Sequence, residues 1–122
     1  MNNMYSDFEI WLNDIIDKNR PLSGAAINFN IYEDGDSCWS IQLISAASFD
    51  EGNDDWCCEE VFTTGECLYT WRQDSDWAEV LKPSCGMIRR YLEEGKYAGE
   101  LKKFEAVAAG FVDGDLVILY KR

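Results

Sequence analysis

The chain has 122 residues, of which 47% are hydrophobic and 14% aromatic, and its formal net charge at pH 7 is −12. This composition excludes intrinsic disorder, because it supplies enough apolar surface to offset the entropy that the chain loses on folding. The length predicts one domain over residues 1–122, and the negative charge excludes binding to nucleic acid, which requires clustered Lys and Arg.

The predicted elements begin with a helix. Ser6 and Glu9 form an S-x-x-E capping box, and apolar residues recur behind it at helical spacing, which predicts an amphipathic helix over residues 7–18. Tyr5 and Ile10 are placed to pack against each other as a hydrophobic staple at the start of this helix.

Four strands are predicted next. Apolar and polar residues alternate over residues 26–32 and again over residues 38–48, and an Asp-Gly turn lies between them at residues 33–36. This pattern predicts a β-hairpin. Two shorter strands are predicted over residues 56–62 and 66–71.

A second helical region follows. Residues 74–76 offer several N-caps for a helix that bears Trp77, Val80 and Leu81, and its predicted buried stripe consists of Met87, Ile88, Tyr91 and Leu92. Pro83 predicts a kink or a new helical segment, and Gly95 predicts the end of the helix.

The C-terminal part predicts two more strands, over residues 104–112 and 116–121, joined by Asp113-Gly114. Together these elements predict an α+β fold, in which a mostly antiparallel sheet of five or six strands carries two or three helices on one face.

The types of residue present argue against catalysis and metal binding. The chain has no histidine, which removes the usual general base and the most common metal ligand. Its five cysteines are odd in number and contain no C-x-x-C pair, so we expect free, buried thiols rather than disulfides or zinc ligands. We therefore predict no catalytic residues, no metal site and no cofactor.

The cellular location is also predicted from the sequence. No apolar run approaches the ~20 residues that a membrane-spanning helix requires. Residues 1–16 carry acids where a signal peptide carries bases. We expect a cytoplasmic protein that does not bind a membrane.

The negative charge is concentrated in one segment. No Lys or Arg lies between Pro21 and Trp71, and the ten carboxylates of this segment contribute −10 of the net charge of −12. A field of one sign attracts a cationic partner and accelerates its approach. Alternatively, the acids only keep the surface solvated. The carboxylates are Glu33, Asp34, Asp36, Asp50, Glu51, Asp54, Asp55, Glu59, Glu60 and Glu66.

Aromatic residues beside these acids suggest a protein interface, because binding hot spots are enriched in Trp and Tyr. Trp56 directly follows the acidic loop, and Tyr32 points away from Ile31 in the strand alternation. The loop at residues 50–55 does not match the EF-hand spacing for calcium. The predicted partner-binding residues are Tyr32, Glu33, Asp34, Asp36, Asp50, Glu51, Asp54, Asp55, Trp56, Glu59 and Glu60.

Four stretches, residues 39–43, 49–50, 54–61 and 110–115, resemble small bacterial proteins encoded beside polymorphic or contact-dependent toxins. These are immunity proteins, and the resemblance covers about residues 39–120. It implies a cytosolic α+β protein, often acidic, that binds and neutralises one cognate toxin domain. The acidic field favours a toxin with a basic surface, such as a nuclease.

Two other interpretations stay open. The aromatic residues could enclose a pocket in a small-molecule or cation-binding module of unknown ligand. An enzyme that uses carboxylates alone would need one acid to be desolvated, and the sequence offers no evident cause for that.

Overall fold

The computed structural model describes residues 4–20, 22–65, 67–112 and 114–122. These residues form three α-helices, one short 3₁₀-helix at Asp54–Cys58 and six strands. The helices are α1 (Met4–Asn19), α2 (Trp77–Glu94) and α3 (Ala98–Leu101). The strands are β1 (Ala26–Gly35), β2 (Cys38–Ala46), β3 (Glu60–Thr63), β4 (Tyr69–Arg72), β5 (Ala106–Phe111) and β6 (Val117–Lys121).

The strands form one mixed sheet in the order β3-β2-β1-β5-β6, and β4 pairs with β2 as well. The β1–β5 pair is parallel, and the other pairs are antiparallel. The strands β3 and β4 pair with successive halves of β2: β3 with the part ending at Ala46, and β4 with the part starting at Cys38. The predicted α+β fold with a mostly antiparallel sheet is confirmed.

Alternation along β1 separates two faces of this sheet. Ile27, Phe29 and Ile31 are fully buried and pack with Phe8 of α1 and Ile88 of α2 in the main core. We call this side the helix-covered face. The helices lie here because three large apolar side chains in alternation need a wide apolar cover.

The opposite side is covered by the segment between β2 and β3, and we call it the loop-covered face. Its strands contribute the small or branched residues Ala26, Ile44, Ala46 and Ala108, which form a second cluster around Trp56. The space above these small residues is shallow: Trp56 occupies it, and the partly buried Phe49, Cys57, Leu116 and Ile118 pack against the cluster.

The start of α1 differs from the prediction. Ser6 lies inside the helix rather than at its N-cap, so the predicted capping box is wrong. Ile10 is 67% exposed, and the ring of Tyr5 lies 4.0 Å from the guanidinium carbon of Arg90. The staple is therefore wrong as well: Tyr5 pairs with a cation of α2, and this contact holds the two helices together.

The predicted hairpin is present, but its turn lies two residues later. The central turn residues are Asp36 and Ser37, with φ of 54° and 62°. Two positive φ angles in a row characterise a type I′ turn, whose twist matches that of the strands. The pairing shifts between Glu33 and Gly35, and Gly35 takes a φ of 91° that a side chain rarely allows. This bulge carries β1 past the predicted Asp-Gly turn.

The predicted strand at residues 56–62 is partly wrong. Residues 54–58 form the 3₁₀-helix, and β3 begins only at Glu60. The reason is local: the Asn53 side chain accepts a hydrogen bond from the Asp55 amide and caps a helical turn. The strand predicted over residues 66–71 is present as β4, although Glu66 lies outside the described residues.

The prediction for α2 is largely correct. Asp76 is its N-cap and forms a complete capping box with Glu79. The helix continues through Pro83 as one element and ends at the predicted Gly95. Glycine is required there by space, because a Cβ would lie 2.6 Å from the ring of Tyr91.

The last two strands are confirmed as β5 and β6, while the short helix α3 was not predicted. In the predicted turn between them, Asp113 lies outside the described residues, and the Gly114 amide donates to the Phe111 carbonyl over 2.9 Å. Among the described residues, no helix is long and apolar enough to cross a membrane.

Candidate partner-binding surface

The acidic loop after β2 is shaped by its own side chains. The Asp50 carboxylate accepts a hydrogen bond from the Gly52 amide over 2.9 Å. The Asn53 side chain accepts from the Asp55 amide over 3.0 Å. Such local bonds favour turns over strands, so the loop folds back over the sheet instead of extending it.

Trp56 fixes this loop to the sheet. Only 3% of its surface is exposed, and its ring meets the edge of the Phe49 ring at a centroid distance of 5.2 Å. The prediction that Trp56 is an exposed binding anchor is therefore wrong. The small side chains of the loop-covered face leave a space that the indole ring fills. Removing the apolar surface of the ring from water is favourable, so Trp56 turns towards the sheet rather than towards solvent.

Beside Trp56, a cleft of about 350 Å³ opens between the 3₁₀-helix and the end of β1. Its polar wall brings together Tyr32 and Asn30 of β1 with Asp54, Asp55 and Glu60. We call this the acidic cleft. Four of the predicted binding residues therefore share one concave surface, although up to 28 positions separate them in the sequence.

Tyr32 is held in place by a row of side-chain amides. Its hydroxyl donates to the Gln42 side-chain oxygen over 2.9 Å, and the Asn30 amide donates to the same oxygen over 3.1 Å. Asn28, fully buried, donates to Asn30 over 2.6 Å. Burial, together with the charge of Glu60, raises the pKa of Tyr32. Its hydroxyl is a neutral donor at pH 7 in a rigid position.

The carboxylates of the acidic cleft are exposed and mostly free of cations. Of the nine carboxylates described between residues 22 and 71, Glu51 alone forms an ion pair, with Lys121 at 2.7 Å. Asp54 accepts a hydrogen bond from the Leu116 amide over 3.2 Å and thereby ties the loop to the sheet edge. Asp55 and Glu60 are exposed and carry no such structural bond within the described residues.

The remaining predicted acids lie elsewhere on the surface. Asp34 and Asp36 are exposed at the β1–β2 turn, and Asp50 and Glu51 are exposed on the loop. Glu59 accepts a hydrogen bond from the Ser48 hydroxyl over 3.1 Å. None of these five lines the acidic cleft, so only three of the predicted acidic residues, Asp54, Asp55 and Glu60, share it.

Glu33 belongs to a second concavity, a groove of about 510 Å³ on the helix-covered side of the sheet, beside the carboxyl end of β5. We call it the aromatic groove. Its apolar wall consists of Ile31, Trp77, Leu81, Phe111 and Val112. The groove and the acidic cleft meet along four shared residues, Tyr32, Phe111, Val112 and Gly114.

Trp77 was placed on α2 by the sequence but was not among the predicted binding residues, and it is 59% exposed. Trp77 is the first residue of the helix, whereas Val80, one turn further on, is fully buried. The available signal was its position directly after the N-cap Asp76. There the apolar stripe of α2 becomes exposed towards the helix N-terminus.

The cysteines are all free, as expected, but Cys85 alone is buried. Cys57 and Cys58 line the acidic cleft. Burial is the main cause that raises the pKa of Cys57 to about 11, so its thiol is protonated at pH 7 and is a poor nucleophile. Within the described residues, no three acidic or thiol side chains converge as metal ligands.

Comparison with family models, curated proteins and solved structures found no match for this chain.

Proposed function

We propose that the protein is a non-catalytic inhibitor of the immunity type, which binds a cognate toxin domain with a basic surface in the cytoplasm. The observation that carries the proposal is the acidic cleft, where Asp54, Asp55 and Glu60 line one concave surface without a neighbouring cation among the described residues. Such a surface attracts Lys and Arg and resembles the phosphates that a nuclease binds.

The geometry supports binding rather than catalysis. Asp55 and Glu60 are exposed, so water screens their interactions with other groups. Because solvent reaches them, they contribute to the rate of encounter more than to the strength of the final complex. Steering by such a field accelerates association about 10-fold or more at low salt.

The first test is protection in cells. A candidate toxin domain with a basic surface, identified among the genes that neighbour this one, is expressed in bacteria with and without the chain, and we expect the chain to restore growth. A toxin that stays fully active beside an equal or higher amount of the folded chain would refute inhibition.

The second test measures association kinetics with that toxin domain. The double variant Asp55→Lys/Glu60→Lys reverses two cleft charges and leaves the Asp54–Leu116 bond intact. We expect its association rate to fall about 10-fold or more at low salt and to approach the wild-type rate as salt rises.

A matched control is Glu93→Lys/Glu105→Lys, which changes the net charge equally on exposed residues outside the cleft. A smaller effect in this control identifies the cleft, whereas equal effects would show that net charge alone governs association. An unchanged rate in the cleft variant at low salt would remove the acidic cleft from the interface.

A second candidate function is a binding module for a small cationic ligand. It is favoured by the volume of the acidic cleft, about 350 Å³, which lies within the range of ligand pockets. Calorimetry with calcium and a thermal shift measurement separate the two candidates, because a ligand of the folded state must stabilise it.

A further inference from the structure

The aromatic groove gathers apolar surface that the fold leaves uncovered. Trp77 is 59% exposed and Val112 52%, and both line this groove. Exposed apolar residues that are scattered singly need no explanation, but a contiguous patch indicates an interaction surface. The other large exposed apolar residues in the described parts of the chain, Ile10 and Val61, do not line it.

The groove is rigid before anything binds. The backbone at Trp77 is fixed by the capping box, in which the Asp76 carboxylate accepts from the Glu79 amide over 3.0 Å. The Trp77 ring meets the Phe111 ring edge-on at 6.1 Å, and Phe111 rests on the buried Trp39 at 5.9 Å. A preformed aromatic wall loses little entropy on binding, which favours affinity.

The charges around the groove identify the chemistry of its occupant. Glu33 and Asp115 line it, and no Lys or Arg among the described residues does. Neither carboxylate forms an ion pair within the described part of the chain. The acidic cleft, which shares four residues with the groove, adds the negative charge of Asp54, Asp55 and Glu60 beside it. An apolar group flanked by cations fits this surface, whereas one flanked by acids would be repelled.

We propose that the aromatic groove receives an apolar side chain from a Lys- or Arg-rich segment of the partner protein. This inference rests on the proposed function, because it assumes a partner with a basic surface. The two concavities then have different roles. The acidic cleft orients the basic partner during association, and Trp77 supplies the contact that slows its dissociation.

The test uses the full chain and three short synthetic peptides without Trp or Tyr. The first peptide places two leucines between pairs of lysines, the second replaces the leucines with serine, and the third replaces the lysines with glutamate. Binding is followed by NMR through the backbone amide and tryptophan indole N–H signals, so that affinity can also be measured in variants without Trp77. The Trp77 indole signal is identified by its loss in Trp77→Phe.

We expect the lysine–leucine peptide to shift the Trp77 signal in a saturable manner. The variant Trp77→Ala should bind this peptide about 10-fold more weakly, a change typical of a truncated hot spot. The control Ile10→Ala removes an exposed apolar residue outside the groove and should bind as the wild type does. Far-UV circular dichroism verifies the fold of each variant, and Trp77→Lys is a second variant that should also lose binding.

The other outcomes separate this inference from the proposed function. If the lysine–serine peptide binds as tightly as the lysine–leucine peptide and the Trp77 indole signal does not shift, the groove is not the binding site for an apolar side chain. This result would leave the proposed role of the acidic cleft unchanged. If the glutamate–leucine peptide binds the groove equally well, the basic character of the occupant is refuted. Failure of both lysine peptides to bind at low salt would refute the groove as a site for a basic segment, whereas the proposed function is refuted separately, by a toxin that stays active beside the folded chain.

Discussion

The helix-covered and loop-covered faces of the sheet differ in how much each one buries. On the helix-covered face, Ile27, Phe29 and Ile31 of β1 are fully buried beneath two helices. On the loop-covered face, Asn28, Asn30 and Tyr32 of the same strand form a row of hydrogen bonds with Gln42. The apolar cluster on this face is small: Trp56 packs on small or branched strand residues, and partly buried side chains such as Phe49 pack against it. We therefore expect stability to reside mainly on the helix-covered face, which leaves the loop-covered face free to carry exposed charge.

The largest effect should follow from opening the helix-covered face. Phe29 is fully buried and its ring packs against Phe8 at 6.2 Å. Phe29→Ala should lower the free energy of unfolding by about 4 kcal/mol, because it removes a large side chain and leaves a cavity between sheet and helix. Urea unfolding measures the loss. The exposed Ile10→Ala should change stability by about 0.5 kcal/mol or less, and similar losses in both variants would contradict this account.

A smaller loss should follow on the loop-covered face. Trp56→Ala should cost about 3 kcal/mol, because the loop above the small residues Ala26, Ala46 and Ala108 can collapse partly into the space. The same urea experiment compares it with Phe29→Ala. A larger loss for Trp56→Ala than for Phe29→Ala would reverse the proposed ranking of the two faces.

The sequence predicts a structural feature well when the residues that determine it are close together in the chain, and poorly when they are distant. The alternation of Ile27, Phe29 and Ile31 and the cap at Asp76 are local signals, and both gave the correct elements. Trp56 was misjudged because its environment is set by Ala26 and Ala108, which are distant in sequence and adjacent only in the folded sheet.

The candidate site was predicted only in part, for the same reason. Clustering of acids along the chain located Asp54, Asp55 and Glu60, yet it could not show that Tyr32 faces them across a cleft. The aromatic groove depends on Phe111, at the end of a strand that pairs in parallel with β1. That pairing is long-range, and nothing in the local pattern near Trp77 reports it.

The buried Tyr91 hydroxyl on the helix-covered face gives a third test of the comparison, because its ionisation should make stability depend on pH. Burial is the main cause that raises the pKa of Tyr91 to about 12. An unfolded tyrosine ionises near pH 10, so between pH 10 and 12 the unfolded chain has released a proton that the folded chain retains. This contribution to stability is complete below pH 10 and is lost as the pH rises towards 12.

Tyr91→Phe removes both this pH dependence and two hydrogen bonds, to Asn13 at 2.6 Å and from the Tyr97 amide at 3.2 Å. At pH 8 we expect Tyr91→Phe to lower the free energy of unfolding by about 1–2 kcal/mol. At pH 11 the difference in the free energy of unfolding between the variant and the wild type should be smaller. Urea unfolding in reducing buffer measures both, with Tyr120→Phe as the control for losing a hydroxyl donor at the sheet edge. If the difference in the free energy of unfolding were the same at pH 8 and pH 11, burial of Tyr91 would not control its ionisation.

The smallest effect on stability should come from Trp77, although its effect on binding should be large. Trp77 is 59% exposed and its ring contact is with Phe111, so Trp77→Ala should cost about 1 kcal/mol or less. Trp56 is 3% exposed, so Trp56→Ala should lower stability more than Trp77→Ala does. It should weaken peptide binding only through the change in the loop that Trp56 holds. Measuring urea unfolding and peptide affinity on both variants tests whether the two tryptophans have separate roles. If Trp77→Ala destabilised the fold as strongly as Trp56→Ala, the aromatic groove would be part of the core, and its exposed surface would need no partner.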